Sequence, residues 1–348
     1  MVQRFAWARH RIVPLGVGAV ALAVAAACAT VGSPLPTDAR PLLPMPTTPA
    51  PSSSSPPSCA KVDLLSKAVP RMDPMPTPGG SMPTGSAMAD IKQRGFLKVG
   101  IAVDDPPLGS VDWRKLQITG FDADVAHAVA DAIFIPGENT VQFQPVSIDQ
   151  RESVLTSGKV DIVAANYTIT CERAQHVNFS GVYYTSRLGL LVRKNAGFSS
   201  IGDLQGHTVC TSNGSTSFEK LKNLPPPAPT VTPAPNIADC LVSLQRGEVD
   251  AIATDDVILA GIAAQDPLLT VVPHAFDQAF ADRKVLDEPY GIGIPKSTPD
   301  NSQFVAFVNG VLKAYMSDGR WTASYQQWLS MLGPAPPSPL EEYPPWSR

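Results

Sequence analysis

Polar side chains able to bind a small charged molecule come directly after the predicted strands of this chain. They are Asp104, Asn166, Thr168, Ser212 and Asp255. In open sheets of parallel strands, ligands bind outside the carboxyl ends of the strands. An aspartate pairs with a cationic group such as an ammonium, whereas hydroxyl and amide groups provide neutral hydrogen bonds. These five residues are therefore the first candidates for a ligand-binding site.

Two arginines provide the positive charge that a carboxylate would need. Arg173 ends a loop, residues 166–173, that follows a strand, and Arg151 begins a short predicted helix. A guanidinium forms two parallel hydrogen bonds with a carboxylate. Burying a charged ligand group without a partner costs several kcal/mol, so a site for such a ligand needs a residue of this kind. The alternative interpretation is that each arginine is solvated, one after a turn and one at a helix start.

Strand and helix signals alternate along the chain from residue 96 onward, as in the strand predicted over 96–103 and the helix over 122–134. Such alternation predicts parallel sheets with helices on both faces. Two strands near 187–193 and 289–294 bracket residues 194–288. This arrangement predicts a second lobe inserted into the first. The expected fold class is therefore α/β, with two parallel-type sheets joined by a two-strand hinge.

The predicted boundaries follow from this arrangement. The first lobe covers residues 61–190, the second lobe 191–288, and the chain returns to the first lobe over 289–333 before a proline-rich tail, 334–348.

The N-terminus has the pattern of a secretory signal peptide. Arg4, Arg9 and Arg11 precede an apolar, alanine-rich run over residues 12–27, and no acidic residue occurs among them. The run is short for a membrane-spanning helix, which needs about 20 apolar residues. We therefore expect residues 1–27 to be removed; the alternative is a short transmembrane anchor.

The sequence VAAAC, residues 24–28, resembles a bacterial lipobox and predicts a lipid on Cys28. Alanine stands at position 25, where leucine is usual, so a secreted protein without lipid is the alternative. Residues 28–60 are rich in proline and serine and predict an extended tether. The expected location is the outer face of the cytoplasmic membrane, with the lipid as anchor.

The four other cysteines predict two disulfide bonds, because an even number is expected in an exported protein. Three pairings are possible. Cys210–Cys240 is favoured because both residues lie in one predicted lobe, and Cys59–Cys171 then follows by elimination. A metal site is the alternative, but no short cysteine or histidine spacing supports it.

The chain has a formal net charge of −4, and removing residues 1–27 makes it more negative. A nucleic-acid-binding face needs clustered basic residues, which this balance does not favour. No cofactor is predicted, and we expect a monomer.

Several longer strings identify a family resemblance. The string VDIVAANYTITCERAQHVNFSGVYYTSRLGLLV is similar to the amino-acid-binding branch of bacterial periplasmic solute-binding proteins. GFDADVAHAVA, SGKVDIVA, RGEVDAIATDD and EPYGIGIPK match further strings of that family in the same order. The resemblance covers about residues 95–333. It implies the two-lobed type II fold and a receptor that serves an ABC importer of glutamate, glutamine, aspartate or a related amino acid.

The resemblance also implies roles for single residues of the first lobe. Arg173 corresponds to the arginine that binds the ligand α-carboxylate, with the Thr168 hydroxyl beside it. The backbone carbonyl of Asn166 would meet the ligand ammonium. Asp104 is a further ligand-binding candidate. The family often has an aromatic wall near positions 106–108, but this chain has no aromatic residue there.

In the second lobe, Ser212, Ser215 and Thr216 match a loop whose backbone N–H groups hold carboxylate at a helix N-terminus. A glycine-containing turn with a helix cap is the alternative, and the loop lacks the lysine of a phosphate loop. Asp255 corresponds to the carboxylate that pairs with the ammonium, whereas Asp256 would cap the next helix. Trp113 or Tyr167 would replace the missing aromatic wall.

Arg151 falls where glutamate- and aspartate-binding members have arginine, which implies that it binds the ligand side chain. With Arg173 and Asp255, it gives the expected site a charge of +1. That charge favours glutamate or aspartate, with asparagine and glutamine as further candidates, and opposes cationic ligands. The sequence supports two functional interpretations: a receptor for an ABC importer, and a sensor that reports to a membrane signalling protein. An enzyme on a related fold is not expected, because no catalytic motif occurs.

Overall fold

The structure is a computed structural model that describes residues 71–138, 140–296 and 301–339. The predicted signal peptide, the predicted lipidation site Cys28, the tether and Cys59 lie outside the described residues, as does most of the proline-rich tail. Within the described ranges, no helix has both the length and the apolar character needed to cross a membrane.

The first lobe contains most of the elements before residue 187 and the C-terminal helices. Its helices are α1 (Ala87–Arg94), α2 (Phe121–Ile133), α3 (Arg151–Thr156), α4 (Arg173–His176), α8 (Ser302–Ser317) and α9 (Arg320–Trp328). Its strands are β1 (Leu97–Ile101), β2 (Asp104–Asp105), β3 (Gly109–Asp112), β4 (Gln117–Thr119), β5 (Val141–Pro145) and β6 (Ile162–Val163).

The second lobe lies between two strands that belong to both lobes, β7 (Val177–Arg193) and β12 (Asp287–Pro295). Its strands are β8 (Thr208–Ser212), β9 (Thr230–Ala234), β10 (Ala251–Asp255) and β11 (Leu269–Val272), and its helices are α5 (Thr216–Lys222), α6 (Ile237–Arg246) and α7 (Asp256–Gln265).

Strand β7 joins the two sheets. The strand order is β5-β1-β6-β12-β7-β10-β8-β9, with β11 also paired to β7. Strands β5, β1 and β6 are parallel, as are β10, β8 and β9, whereas β12 and β10 run antiparallel to β7. The first part of β7 pairs with β12 and its last part with β10 and β11. The predicted fold class of two parallel-type sheets with a two-strand hinge is therefore confirmed, and the predicted lobe boundaries fall in or beside these two strands.

Edge strand β9 lies in a proline-rich stretch of the sequence and was not predicted as a strand. The strand pairs in parallel with β8 and places Pro233 opposite Thr211. Proline lacks the N–H donor of a sheet ladder, so it is tolerated at an edge strand, which has one unpaired side. The prolines here therefore mark the border of the second sheet.

Aromatic side chains hold the C-terminal helices against the first lobe. The ring of Phe121 packs edge-on against those of Tyr184 and Trp321, with centroid distances of 5.6 and 6.0 Å. The Trp321 indole N–H donates to the carbonyl oxygen of Tyr183 over 2.8 Å. Helices α8 and α9 thus close the first lobe and cover the beginning of the hinge.

A disulfide bond between Cys210 and Cys240 links β8 to α6, and both residues are buried. The favoured pairing within the second lobe is therefore confirmed. Cys171 is disulfide-bonded too. Its predicted partner Cys59 lies outside the described residues, so that pairing stays a prediction.

Candidate ligand-binding site

A small cleft lies between the two lobes, at the carboxyl ends of strands from both sheets. The first lobe lines it with Asp105, Ile148, Arg151, Asn166 and Thr168, and the second with Ser212, Ser215, Thr216, Thr254, Asp255 and Ile258. The cleft therefore brings together seven of the nine predicted ligand-binding residues, whereas Arg173 and Asp104 do not line it.

Asn166 occupies the centre of the first-lobe wall in a left-handed conformation, with φ of +38°. Asparagine tolerates this region better than most residues. Its backbone N–H donates to Asp122 Oδ2 over 2.7 Å, and its Nδ2 donates to Asp105 Oδ2 over 2.6 Å. Its backbone and side-chain oxygens accept from Arg151 Nη1 over 2.9 and 3.0 Å. The Asn166 carbonyl, expected to meet a ligand ammonium, already accepts one hydrogen bond from a guanidinium, and its contact with a ligand stays a prediction.

Arg151 is buried rather than solvated, with 3 % of its surface exposed. Beyond Asn166, its Nε donates to the Ile148 carbonyl over 2.9 Å and its Nη1 to the Ala165 carbonyl over 3.0 Å. Its guanidinium lies 4.5 Å from the centre of the Tyr167 ring. Burial, followed by the charge of Arg173, lowers the pKa of Arg151 to about 10. The group therefore remains a cation at neutral pH, and its Nη2 has no hydrogen-bond partner among the described residues.

Arg173 bridges the two lobes instead of lining the cleft. Its Nη1 donates to the Thr168 carbonyl over 2.7 Å and its Nη2 to the Gly214 carbonyl over 3.0 Å. The predicted carboxylate-binding guanidinium is thus occupied by two backbone oxygens in this conformation. Tyr167 lies between the two arginines, with its ring centre 5.1 Å from the Arg173 guanidinium.

The two adjacent aspartates of β2 face different surroundings, because successive side chains of a strand point to opposite sides. Asp105 lines the cleft and is 2 % exposed. Asp104 points toward the start of α6, near Ala238 and Asp239, and its Oδ2 is buried without a hydrogen-bond partner among the described residues. Asp105, rather than the predicted Asp104, therefore lines the cleft.

Asp255 ends β10 and faces the cleft from the second lobe, as predicted, with 6 % of its surface exposed. The Tyr290 hydroxyl donates to its Oδ2 across the intervening strand β7. Burial, and then the charge of Glu288, raises the pKa of Asp255 to about 8. A buried carboxyl with a raised pKa binds a cationic group well, because such a partner restores the stability of its charged form.

Asp256, predicted to cap the following helix, binds the hinge instead. Its Oδ1 accepts from the Ser186 hydroxyl over 2.6 Å and from the Arg187 backbone N–H over 3.1 Å. The helix that follows therefore begins without a side-chain cap.

A buried ion pair beneath the second-lobe loop was missed by the sequence analysis. Glu288 is fully buried; it accepts a hydrogen bond from the Thr216 hydroxyl over 2.9 Å and pairs with Lys220. A glutamate inside the otherwise apolar hinge strand EPYGIGIP was the available signal, because a buried charge needs a partner. Thr216 is therefore a support of this pair as well as a residue of the cleft.

Helix α5 begins beside the cleft with the helix cap that the sequence offered as the alternative interpretation of this loop. Ser215 accepts from the Phe218 N–H over 3.0 Å and donates from its hydroxyl to the Ser212 carbonyl over 2.7 Å. The hydroxyls of Ser212 and Thr168 have no hydrogen-bond partner among the described residues, so both can bind a ligand in the cleft. The alternative of a glycine-containing turn with an N-cap describes the backbone correctly.

The wall of the cleft contains no aromatic side chain among the described residues. Trp113 is 78 % exposed on the β3–β4 hairpin, and Tyr167 packs between the two arginines, so neither replaces the family's aromatic wall. Ile148 and Ile258 supply the apolar surface instead.

Two lobes joined by continuous strands, with paired charges buried in the cleft between them, define a receptor that closes around a small solute. The chain belongs to the bacterial extracellular solute-binding proteins, family 3, which it matches over residues 97–331. This confirms the family resemblance seen in the sequence.

Several similar proteins agree with this assignment. The chain is 35% identical to the glutamine-binding protein of Geobacillus stearothermophilus over 61% of this chain and 78% of that protein. It is 32% identical to the glutamine-binding protein GlnH of Bacillus subtilis, covering 70% of this chain and 84% of that one. Identity to the glutamate-binding protein GluB of Corynebacterium efficiens is 30%, over 72% and 83% of the two chains.

Solved structures share the fold. A mutant of the arginine-binding protein of T. maritima superposes with a TM-score of 0.61 at 27% identity, covering 70% of this chain and 99% of that one. The L-cysteine receptor of Neisseria gonorrhoeae gives 0.62 at 27% identity, over 70% and 93% of the two chains. The ancestral protein AncCDT-1, described as a precursor of cyclohexadienyl dehydratase, gives 0.60 at 31% identity, over 70% and 99%.

Proposed function

We propose that this protein is the extracytoplasmic receptor of an amino-acid ABC importer and that it closes on glutamine or glutamate. The observation that carries the proposal is the placement of Arg151 and Asp255 in opposite walls of one buried cleft. A free amino acid carries an ammonium and a carboxylate, and both need partners when they leave water. The relatives named for glutamine and glutamate support this choice of ligands.

The ammonium of the ligand would bind Asp255, the anionic group of the second-lobe wall. Burial raises the pKa of this carboxyl, and a bound ammonium would lower it again and keep the group ionised. Glu288 lies behind it but is already paired with Lys220. Asp255 is therefore the residue that we expect every amino-acid ligand to require.

The α-carboxylate would lie near the two free hydroxyls, those of Thr168 and Ser212, with the nearby guanidinium of Arg173 as the cation that balances its charge. Thr168 is fixed at the strand end by its backbone bridge to Tyr290, and Arg173 binds its carbonyl from behind. Hydroxyl donors from both lobes then contact one ligand group only when the lobes are closed. This arrangement links ligand binding to closure of the hinge.

The charge of the cleft differs from the +1 expected from the sequence, because Asp105 was not in that count. With Asp105, Asp255, Arg151 and the bridging Arg173 all ionised, the charges of the site cancel. A net charge of zero favours an uncharged side chain such as that of glutamine, while glutamate remains the second candidate. Aspartate and asparagine, which are shorter by one methylene group, are the further candidates.

A thermal-shift screen of residues 29–348 against the twenty amino acids tests the proposal. A ligand at about 100 times its Kd stabilises by about 2.7 kcal/mol, which raises the Tm by roughly 5–10 °C. We expect glutamine and glutamate to give the largest shifts, and Asp255→Asn to abolish them. Glu219→Gln is the matched control, because Glu219 is an exposed acid on the helix beside the cleft. Stabilisation by no amino acid, or full binding by Asp255→Asn, would refute the proposal.

The membrane anchor and the importer belong to the same proposal. The lipobox-like sequence supports lipidation of Cys28, and replacing it by serine should move the protein from the detergent phase to the aqueous phase. Co-purification of the ligand-loaded protein with an importer permease would favour transport. Co-purification with a membrane signalling protein would favour the sensor instead.

A further inference from the structure

Asp105 and Arg151 meet at one end of the cleft through the side chain of Asn166. The carboxamide nitrogen of Asn166 donates to Asp105 Oδ2 over 2.6 Å, while its oxygen accepts from Arg151 Nη1 over 3.0 Å. The amide thus bridges an anion and a cation that are both nearly completely buried. Asp105 Oδ1 and Arg151 Nη2 keep no partner among the described residues, so one acceptor and one donor remain for a ligand.

This remaining pair matches a primary carboxamide. Such a group has an NH₂ donor and a carbonyl acceptor, and Asn166 shows that the two ends fit Asp105 and Arg151 together. A carboxylate has only acceptors, so it suits Arg151 but meets Asp105 with like charge. Two carboxylates that share a buried site do not both stay ionised; one of them takes up a proton.

We propose that Asp105 determines the side-chain specificity of the cleft: its ionised form selects the carboxamide of glutamine, and glutamate binds only together with a proton. This inference rests on the proposed function and adds the group that separates its two ligands. Arg151 serves both ligands, so the discrimination comes from the aspartate.

The surroundings of Asp105 support uptake of that proton near neutral pH. Burial, and then the charge of Asp104, raises the pKa of Asp105 to about 7, and Asp122 adds to the rise. The hydrogen bond from Asn166 and the charge of Arg151 oppose it. A second carboxylate at this position would raise the pKa further, whereas a carboxamide would not.

Isothermal titration calorimetry with glutamine and with glutamate tests the inference, at about pH 6, 7 and 8 and in two buffers of different ionisation enthalpy. We expect glutamate to take up about one proton more than glutamine. Its affinity relative to glutamine should then rise about tenfold for each pH unit lowered from about 8 toward 7, by linkage. Titration of Asp255 is common to both ligands and cancels in this comparison.

Asp105→Asn should remove the difference in proton uptake and raise the glutamate-to-glutamine affinity ratio at about pH 8 by at least about tenfold. Asp104→Asn is the matched control; it changes the neighbouring charge outside the cleft and should keep the difference. Equal proton uptake for the two ligands in the unchanged protein overturns the inference, even if Asp105→Asn fails to fold. If neither ligand binds the unchanged protein, the proposed function is wrong and this inference falls with it.

Discussion

The guanidinium of Arg173 in the first lobe donates a hydrogen bond to the carbonyl oxygen of Gly214 in the second lobe over 3.0 Å. The same loop approaches Asp149, because a Cβ on Gly214 would lie 3.0 Å from the Asp149 Cα. The side chain of Asn213 also reaches Asp149 Oδ2, at 3.5 Å. The lobes therefore touch along one side of the cleft, and we expect these contacts to stabilise the closed conformation.

Replacing Arg173 by alanine should weaken binding of glutamine and glutamate by the same factor, about 10- to 100-fold. A hydrogen bond to a charged group contributes about 1.5–3 kcal/mol, and this one acts on closure rather than on the ligand side chain. Titration calorimetry measures both affinities. Arg193→Ala is the control, because Arg193 binds the Leu244 and Val249 carbonyls within one lobe.

A far larger loss for Arg173→Ala would contradict the role as an interlobe contact. It would instead support the direct carboxylate contact predicted from the sequence, which requires the guanidinium to leave Gly214.

Replacing Gly261 in α7 by alanine should produce a steric clash with the first lobe. A Cβ there would lie 2.1 Å from the Pro106 carbonyl oxygen and 2.7 Å from the Pro107 Cδ. Overpacking of this kind costs about 1–3 kcal/mol, so we expect Gly261→Ala to weaken ligand binding by about 10- to 100-fold. Small-angle X-ray scattering should show that ligand no longer compacts the variant.

The helix of the variant should remain folded, since alanine is favoured over glycine inside helices by about 1 kcal/mol. Gly202→Ala is the control, because its nearest neighbour, the Ser200 hydroxyl, is 3.5 Å from the added Cβ. Normal affinity and compaction in Gly261→Ala would show that this contact is not needed for closure.

Asp255→Asn should stabilise the ligand-free protein while it abolishes binding. The pKa of Asp255 is raised to about 8, above its ordinary value of 3.8, so the folded state holds a proton that the unfolded chain has released. Because the folded state binds this extra proton, it loses stability progressively as the pH rises between the two pKa values. The free energy of unfolding of the variant should therefore exceed that of the unchanged protein by an amount that grows from about pH 5 to pH 8. At pH 8 we expect this difference to exceed about 1 kcal/mol, or roughly 2–4 °C in Tm.

Differential scanning calorimetry of both ligand-free proteins across this pH range measures the effect. The control is Glu219→Gln, which removes an exposed carboxylate and should give a nearly pH-independent difference. A variant that loses stability at pH 8 would mean that Asp255 is ionised in the empty cleft.

Loss of the Cys210–Cys240 bond should lower the stability of the second lobe by about 3–4 kcal/mol. The bond closes a loop with a sequence separation of 30, and the expected loss follows from the entropy that the closed loop removes from the unfolded chain. Unfolding of the Cys210→Ser/Cys240→Ser double variant in urea, with and without ligand, measures it. An unchanged midpoint would show that the reduced lobe is held by packing alone.

Local pattern by itself determined much of this protein. Apolar runs and their spacing gave the alternating elements, and the carboxyl ends of strands located Thr168, Ser212 and Asp255 at one cleft, because parallel strands end at a common edge. The placement of Cys210 and Cys240 in one lobe was enough to predict their bond. Edge strand β9 escaped because its prolines resemble those of a loop.

Tertiary structure alone decided which charges face the ligand. Asn166 meets Asp105 from 61 residues away, and Arg173 meets Gly214 from 41 residues away. A long arginine side chain takes whichever acceptors the packed lobes bring near, and a one-residue difference along β2 separates the aspartate in the cleft from the one outside it. Such choices depend on segments distant in sequence, so the order of residues identifies the candidates and the packing of the lobes assigns their partners.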